Sequence, residues 1–277
     1  MNDKPNRQVL VVGAGSPNAD MVAEVLNAHG VVAAWTERVR TQDPRLIGRF
    51  DVIYGIYLQT CSRYILLGKT LSKKTIVHFV GSDAYWVSRE KSLLRQAYWD
   101  LVLRLTDAVL YVSPHLQDMV GRRGFILPFP IATQQFSPPE LRTISPTRDI
   151  LYYCPSGSAN ERIYRRSWIL EYAQTHPDEK ITIIGNIAHP ARPEPELPNV
   201  EVIPFVERSE MPLLYRRHRR LIRMTTEDGL PRMVHEALLC GLSVTFNGQE
   251  PREVPKEREP AEFASAFQNV IDSLCGR

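Results

Sequence analysis

No run in this 277-residue chain approaches the roughly 18–20 consecutive apolar residues of a membrane span, so a helix buried in lipid is not expected. The N-terminal residues do not lead into a signal-peptide pattern either: the apolar run Val9–Val12 is too short and opens into a glycine loop. Cysteine is scarce. Cys61, Cys154, Cys240 and Cys275 are widely scattered and lack paired spacing, which argues against a disulfide framework or a zinc site and fits a reducing compartment. The expected location is therefore cytoplasmic. Charge of one sign is nearly absent as an excess: 34 Lys and Arg stand against 31 Asp and Glu, and a net +3 does not point to nucleic acid. Asp-any-Asp occurs nowhere, so that metal-chelating motif is missing.

What is present is an alternation of short apolar runs with helical patterns, the mark of a parallel sheet covered by helices. Strands are expected at Val9–Val12, Val31–Trp35, Asp51–Tyr54, Thr75–Val80, Ala108–Val112 and Phe125–Leu127, with helices near Asp20–Ala28, Arg63–Leu71 and Ser92–Leu105. Pro138–Pro146 is rich in proline and polar groups and reads as a linker. After it the pattern restarts, with strands at Ile150–Tyr153, Ile181–Ile184, Val200–Ile203, Leu221–Thr225 and Leu242–Phe246 and helices around Arg162–Thr175, Glu210–Arg217, Pro231–Cys240 and Ala261–Leu274. The expected domains are 1–138 and 147–277, both Rossmann-like, with ligands sought at the strand C-termini facing an interdomain cleft.

The segment Thr226–Gly241 carries the most information. It follows an apolar strand and opens a helix, with Pro231 suited to the first turn and Gly241 to the stop. A helix N-terminus offers unpaired backbone N–H groups and partial positive charge, which favour a phosphate. Asp228 and Glu236 add carboxylates able to accept hydrogen bonds from sugar hydroxyls. Together these features read as a site for a sugar nucleotide, although Asp228 alone could be a helix cap and Glu236 alone a solvated helix residue.

Asp228 and Glu236 are separated by seven residues, and with Gly229-Leu230-Pro231 and Glu236-Ala237-Leu238 the segment resembles the donor-binding motif of the two-Rossmann-domain (GT-B) glycosyltransferases, especially the retaining family 4 type. That family usually has Glu at the first acidic position; Glu227 is one residue too far, and Asp228 has the right spacing. Leu127–Pro138 is similar to the family's crossing segment, with Ala132 where Asp is usual. The resemblance implies an α/β, GT-B-like fold and transfer of a sugar from a nucleotide-sugar donor with retention. No cofactor and no tightly held metal are implied beyond that substrate. Asp228 would bind donor-sugar hydroxyls and Glu236 the ribose, with Gly229, Leu230 and Pro231 shaping the helix entry.

Other candidates are placed by the same reading. Ile76–Asp83 runs off a strand end into a Gly81-Ser82-Asp83 turn; similar enzymes carry His just before such a turn, where Val80 stands here. His78, two residues earlier on the same strand face, is either an acceptor-side group or a core histidine. Asp83 either holds an acceptor hydroxyl or caps the following helix. In the loop Gly13-Ala14-Gly15-Ser16, Gly15 would allow close backbone approach to the diphosphate, or the loop is merely a tight turn.

Gly157 and Arg162, with Arg165 and Arg166 as lesser candidates, follow the first strand of the second half, where similar enzymes place a glycine and a basic residue for the diphosphate; the usual Lys is not evident. Arg162 would offset charge on the leaving nucleotide. Arg223 lies on the strand leading to Asp228. The run Arg216-Arg217-His218-Arg219-Arg220 is a solvated face or a contact with acidic lipid or a phosphate-bearing acceptor.

The expected function is thus a hexosyltransferase acting on a carbohydrate, lipid-linked or small-molecule acceptor. A non-catalytic nucleotide-sugar-binding protein is the main alternative, because of Val80, Ala132 and the absent Lys. An NAD-linked oxidoreductase using Gly13, Gly15 and Glu37 is weaker, because Asn18 stands where the third glycine of that fingerprint belongs.

Overall fold

The computed structural model describes residues 7–13, 17–36, 44–137, 143–155, 162–185, 197–226, 228–229 and 231–276. They form two compact units, one of residues 1–131 with 256–277 and the other of residues 132–255. Each is a parallel sheet with helices packed against it, a Rossmann-like unit.

In the first unit the order along the chain is β1 (Gln8–Val12), α1 (Pro17–Ala28), β2 (Val32–Thr36), α2 (Pro44–Ile47), β3 (Val52–Ile56), α3 (Leu58–Thr70), β4 (Lys74–Phe79), α4 (Ser82–Ser88), α5 (Leu93–Leu105), β5 (Ala108–Tyr111), α6 (Pro114–Val120) and β6 (Phe125–Ile126). The sheet runs β2-β1-β3-β4-β5-β6 with all neighbours parallel. Val9–Val12 and Val52–Ile56 are buried throughout, as strands covered on both faces must be, which is why these runs are continuously apolar. Strand order reverses between β1 and β3. There Gly13 lets the chain turn tightly, since a Cβ on it would lie 2.9 Å from the Ala19 Cβ.

The second unit contains α7 (Thr133–Phe136), β7 (Arg148–Tyr153), α8 (Arg166–Thr175), β8 (Ile181–Ile184), β9 (Val200–Ile203), α9 (Met211–Arg216), β10 (His218–Arg223), α10 (Arg232–Leu239) and β11 (Ser243–Phe246). Its parallel sheet runs β11-β10-β7-β8-β9, so the reversal falls between β7 and β10. In open α/β sheets ligands collect at the C-terminal strand ends beside such a reversal.

The chain ends in a 3-10 turn (Lys256–Arg258) and α11 (Pro260–Cys275), and here the division departs from the expected 147–277 domain. Helix α11 belongs to the first unit. Its buried residues Phe263, Ala264, Phe267, Val270 and Ile271 join the core around β1, β3 and β4, with the Phe267 ring 4.7 Å from that of Tyr54. Arg258, 1% exposed, donates to the Phe129 carbonyl at 3.1 Å, and the Arg258 carbonyl accepts from Ile131 N–H at 2.8 Å. The periodicity of α11 demands an apolar partner but does not say which sheet supplies it.

Smaller differences have local causes. Strand β10 begins at His218, earlier than the expected Leu221, because His218 turns inward and bridges the Leu214 carbonyl (2.7 Å) and Thr182 Oγ1 (2.9 Å). Helix α3 begins at Leu58, five residues before the expected Arg63. Helix α10 stops as expected. Gly241 has φ of +86°, and Gly241 N–H and Leu242 N–H donate to the carbonyls of Leu238 (2.9 Å) and Ala237 (3.0 Å), the hydrogen-bond pair of a glycine-terminated helix.

Candidate functional site

The strand reversal of the second unit is where its polar side chains gather. Strand β10 ends at Arg223, whose carbonyl accepts from Asn247 N–H at 3.1 Å, while Thr225 N–H donates to Asn247 Oδ1 at 2.7 Å. Thr226 N–H donates to the Ile163 carbonyl at 3.1 Å, fastening the loop after β10 to the connection between β7 and α8. That connection is held in turn by the Tyr152 hydroxyl, which donates to the Tyr164 carbonyl at 2.7 Å. The segments bearing Arg162 and Asp228 are therefore neighbours built on one sheet.

Arg223 is 5% exposed. Its Nε donates to Asp228 Oδ2 at 3.2 Å, its Nη2 pairs with the same oxygen, and its Nη1 lies 2.9 Å from Met233 Sδ. The guanidinium also lies over two rings, 4.7 Å from the centroid of Tyr153 and 5.1 Å from that of Tyr164. Burial disfavours its charge, but the Asp228 carboxylate more than compensates and holds the pKa above the ordinary arginine value. Burial likewise raises both phenols, Tyr164 to about 12, so the two rings, set edge to face, stay neutral. The result is a permanent cation and a half-buried carboxylate, fixed in place just ahead of the N-terminus of α10. Gly229 lies in that entry, and Pro231 takes the N-cap position with φ of −66° and ψ of 137°, one residue before the helix.

Glu236 lies one helical face away. It is 2% exposed, and both of its oxygens are engaged: Arg208 Nη2 donates to Oε1 at 2.8 Å and the Tyr215 hydroxyl to Oε2 at 3.1 Å. Arg208 is itself half-exposed and rests 5.5 Å from the Phe136 ring centroid. Asp228 thus precedes α10 and Glu236 lies within it, each with its own arginine. Arg208, Tyr215, Tyr153 and Tyr164 were not singled out from sequence. Tyr153, the last residue of β7, was accessible to a search of strand ends, whereas nothing in the local pattern ties Tyr164 to Arg223 or the loop residue Arg208 to Glu236.

Arg162 is exposed, and Arg165 has a left-handed backbone with φ of 46° just before α8. The basic run does not form one face: Arg217 and Arg219 are exposed, His218 is buried, and Arg219 and Arg220 approach Asp149 (3.6 Å) and Glu179 (3.5 Å). Gly15, Glu37, Gly157 and Leu230 lie outside the described residues.

In the first unit, His78 is fully buried on β4. Its Nδ1 shares a 2.6 Å hydrogen bond with the Tyr54 hydroxyl, and its ring packs 4.7 Å from that of Phe129. Burial drives its pKa down to about 3, against a weaker opposing effect of the Leu127 carbonyl, so the ring is neutral. Asp83 is 2% exposed, and its Oδ1 accepts from Val80 N–H (3.0 Å) and Gly81 N–H (2.9 Å). Burial raises its pKa despite those bonds. His78 thus has the geometry of a core histidine, whereas Asp83 lies inside the first turn of α4 and holds the turn before it, so it is not the cap of a later helix start. Among the described residues no group of three or more His, Cys, Asp or Glu is arranged to hold a metal.

No family model and no curated protein matches the sequence. Solved structures do match its fold. Anabaena HepE, determined in complex with UDP-glucose, is similar over 96% of this chain and 90% of its own, with a TM-score of 0.61 and 13% identity. Sucrose-phosphate synthase from Thermosynechococcus elongatus gives 0.63 at 13% identity over 97% and 90%. AviGT4, a glycosyltransferase involved in avilamycin A biosynthesis, gives 0.61 at 12% identity over 98% and 99%. The chain has the GT-B fold of two Rossmann-like domains.

Proposed function

We propose that the protein is a glycosyltransferase that takes a hexose from a nucleotide-sugar donor, with the donor bound in the second unit at the β7/β10 reversal. The observation that carries this reading is the buried Arg223–Asp228 pair ahead of the N-terminus of α10, supported by the likeness of fold to proteins such as HepE, which binds UDP-glucose. Asp228 serves the donor-sugar hydroxyls and Glu236 the ribose hydroxyls, each keeping lone pairs beyond its arginine bonds. Gly229 and Pro231 lead the diphosphate to the helix N-terminus; Leu230, Gly157 and Gly15 keep the donor-binding roles expected from the sequence.

In the reaction the bond from the anomeric carbon to the diphosphate oxygen breaks, and its electron pair leaves with the nucleotide. The acceptor oxygen bonds to that carbon and gives up its proton to the departing diphosphate. Arg162 and the helix N-terminus meet the charge that grows on the leaving group. Retention is what the resemblance to the family 4 type implies, and transfer without a tightly held metal is in keeping with the missing Asp-any-Asp. The acceptor is a carbohydrate, a lipid-linked sugar or a small molecule.

The burial of His78 and the use of Asp83 by its own turn favour a second reading, a protein that binds the donor without turnover. Calorimetric titration with UDP-, GDP- and ADP-sugars tests the donor site: one of them binds the wild type, and Asp228→Ala or Glu236→Ala weakens it. Absence of binding to every donor overturns the reading. Release of nucleoside diphosphate by a donor-binding protein distinguishes the enzyme from the binder.

A further inference from the structure

Most large apolar side chains of the first unit are inside, but helix α5 and the turn before it are an exception. Leu93 and Leu94 are 79% and 86% exposed, Leu101 is 50% exposed, and Trp86 on α4 is 64% exposed. Along α5 the residues Leu94, Ala97, Leu101 and Leu105 recur at spacings of three and four, so they share one side of the helix, and all are exposed. The adjoining side carries Val102 and Leu103, which are buried, with Tyr98 and Trp99 partly so. Helix α5 is therefore anchored by one apolar side and offers a second to the surroundings. Scattered exposed leucines need no explanation, but a stripe of them beside an exposed tryptophan does.

The charges around this stripe identify what it meets. Between Trp86 and Leu105 stand the basic Arg89, Lys91, Arg95 and Arg104, and the acidic Glu90 and Asp100, a surplus of two positive charges. Arg89, Lys91, Arg95 and Arg104 are all exposed. Arg89 lies over the Tyr85 ring, and Arg95 approaches Glu90 at 3.6 Å, so their stems stay close to the protein surface. Leucine and tryptophan flanked by arginine and lysine is the composition of a helix that lies in a membrane interface. A symmetric contact between two copies would bring the basic surplus of each against the other, whereas an anionic lipid surface neutralises it.

We propose that the α4–α5 face of the first unit docks onto anionic lipid, with Trp86, Leu93, Leu94 and Leu101 entering the interface and Arg89, Lys91, Arg95 and Arg104 meeting the headgroup phosphates. Among the described residues no helix is long and apolar enough to cross a bilayer, so this contact lies on the membrane and is reversible. It is independent of the donor site, which belongs to the second unit.

The test is co-sedimentation of the full chain with phosphatidylcholine vesicles, with and without about a third of phosphatidylglycerol, at low and high salt. The wild type binds the anionic vesicles, binds the neutral ones far less, and is released by salt. The pair Leu93→Glu with Leu94→Glu lowers the partition by about tenfold or more while circular dichroism and melting temperature stay at wild-type values. Arg95→Gln with Arg104→Gln lowers it less and flattens the salt dependence. Wild-type binding no stronger on anionic than on neutral vesicles overturns the proposal, as does binding that survives the leucine substitutions. A concentration-dependent dimer in sedimentation velocity that those substitutions dissociate, without vesicle binding, assigns the face to a second copy instead.

Discussion

At the end of β4 the polar side chains turn inward, one against a phenol and one against the backbone of its own turn, whereas at the end of β10 arginine and carboxylate pair with each other. His78 is buried beside Tyr54, and Asp83 closes its own turn. Arg223 and Asp228 instead hold each other at the rim, and Glu236 sits between Arg208 and Tyr215. The difference is one of electrostatics. A neutral imidazole costs little to enclose, but a buried guanidinium needs compensating acceptors, as the Asp228 carboxylate supplies for Arg223. A strand end that retains fixed charge can act on a diphosphate and on sugar hydroxyls; a sealed one holds the scaffold.

Substitutions that strip one member from a pair separate the two ends most sharply. Asp228→Ala leaves Arg223 as an unpaired buried cation and destabilises the protein by about 3 kcal/mol in urea unfolding. The double change Arg223→Met with Asp228→Ala recovers most of that loss. If the double variant is no more stable than the single one, the pair is not what compensates the buried charge.

A somewhat smaller effect is expected at Glu236. Removing its carboxylate orphans the buried Tyr215 hydroxyl and frees Arg208, costing about 1–3 kcal/mol of stability. Donor affinity falls by about 1.5–3 kcal/mol in calorimetry if Glu236 also holds the ribose. A folded Glu236→Ala protein with wild-type donor affinity leaves that carboxylate a structural link between α10, α9 and the β9–α9 loop.

At the other strand end, Asp83→Ala loses the acceptor for Val80 and Gly81 N–H and costs about 1 kcal/mol, read as a lower urea midpoint. The conservative Asp83→Asn retains one acceptor oxygen. It leaves turnover of the folded protein unchanged if the carboxylate only holds its turn, and lowers turnover without changing donor affinity if it also positions an acceptor.

The smallest change at neutral pH is expected for His78→Phe, about 1 kcal/mol from the orphaned Tyr54 hydroxyl, and its signature appears in acid. The folded-state pKa of His78 lies near 3 and its ordinary value is 6.5, so between these pH values the unfolded chain binds the extra proton. Stability on this account is complete above pH 6.5 and declines as the pH falls toward 3. His78→Phe flattens that part of the profile. An unchanged acid slope in the variant assigns the decline to the carboxylates.

Much of this was legible in the chain. The strand at 181–184 falls where its apolar run predicts, because a parallel strand covered on both faces admits few polar residues, and the edge strand at 200–203 falls where its apolar–polar alternation does. The stop of α10 was readable from Gly241, because a left-handed helix terminus selects glycine. The strand-loop-helix order put Arg223 on the strand leading to Asp228, but their pairing came only from the structure. Arg208 was not legible at all, since its partner Glu236 lies 28 positions away on another element and nothing in the local pattern connects them.

The sequence by itself determined two βα-alternating halves, the helix entry that bears Asp228 and its spacing to Glu236, because these depend on short-range periodicity, turn chemistry and fixed offsets along one helix. Only the tertiary structure decided that α11 joins the first unit, that His78 is enclosed beside Tyr54, that the basic run at 216–220 is split between buried and exposed positions, and that one side of α5 is left uncovered. An apolar stripe or a polar side chain states what kind of partner it requires. Which partner it receives is set by segments distant in sequence, through packing that no local pattern encodes.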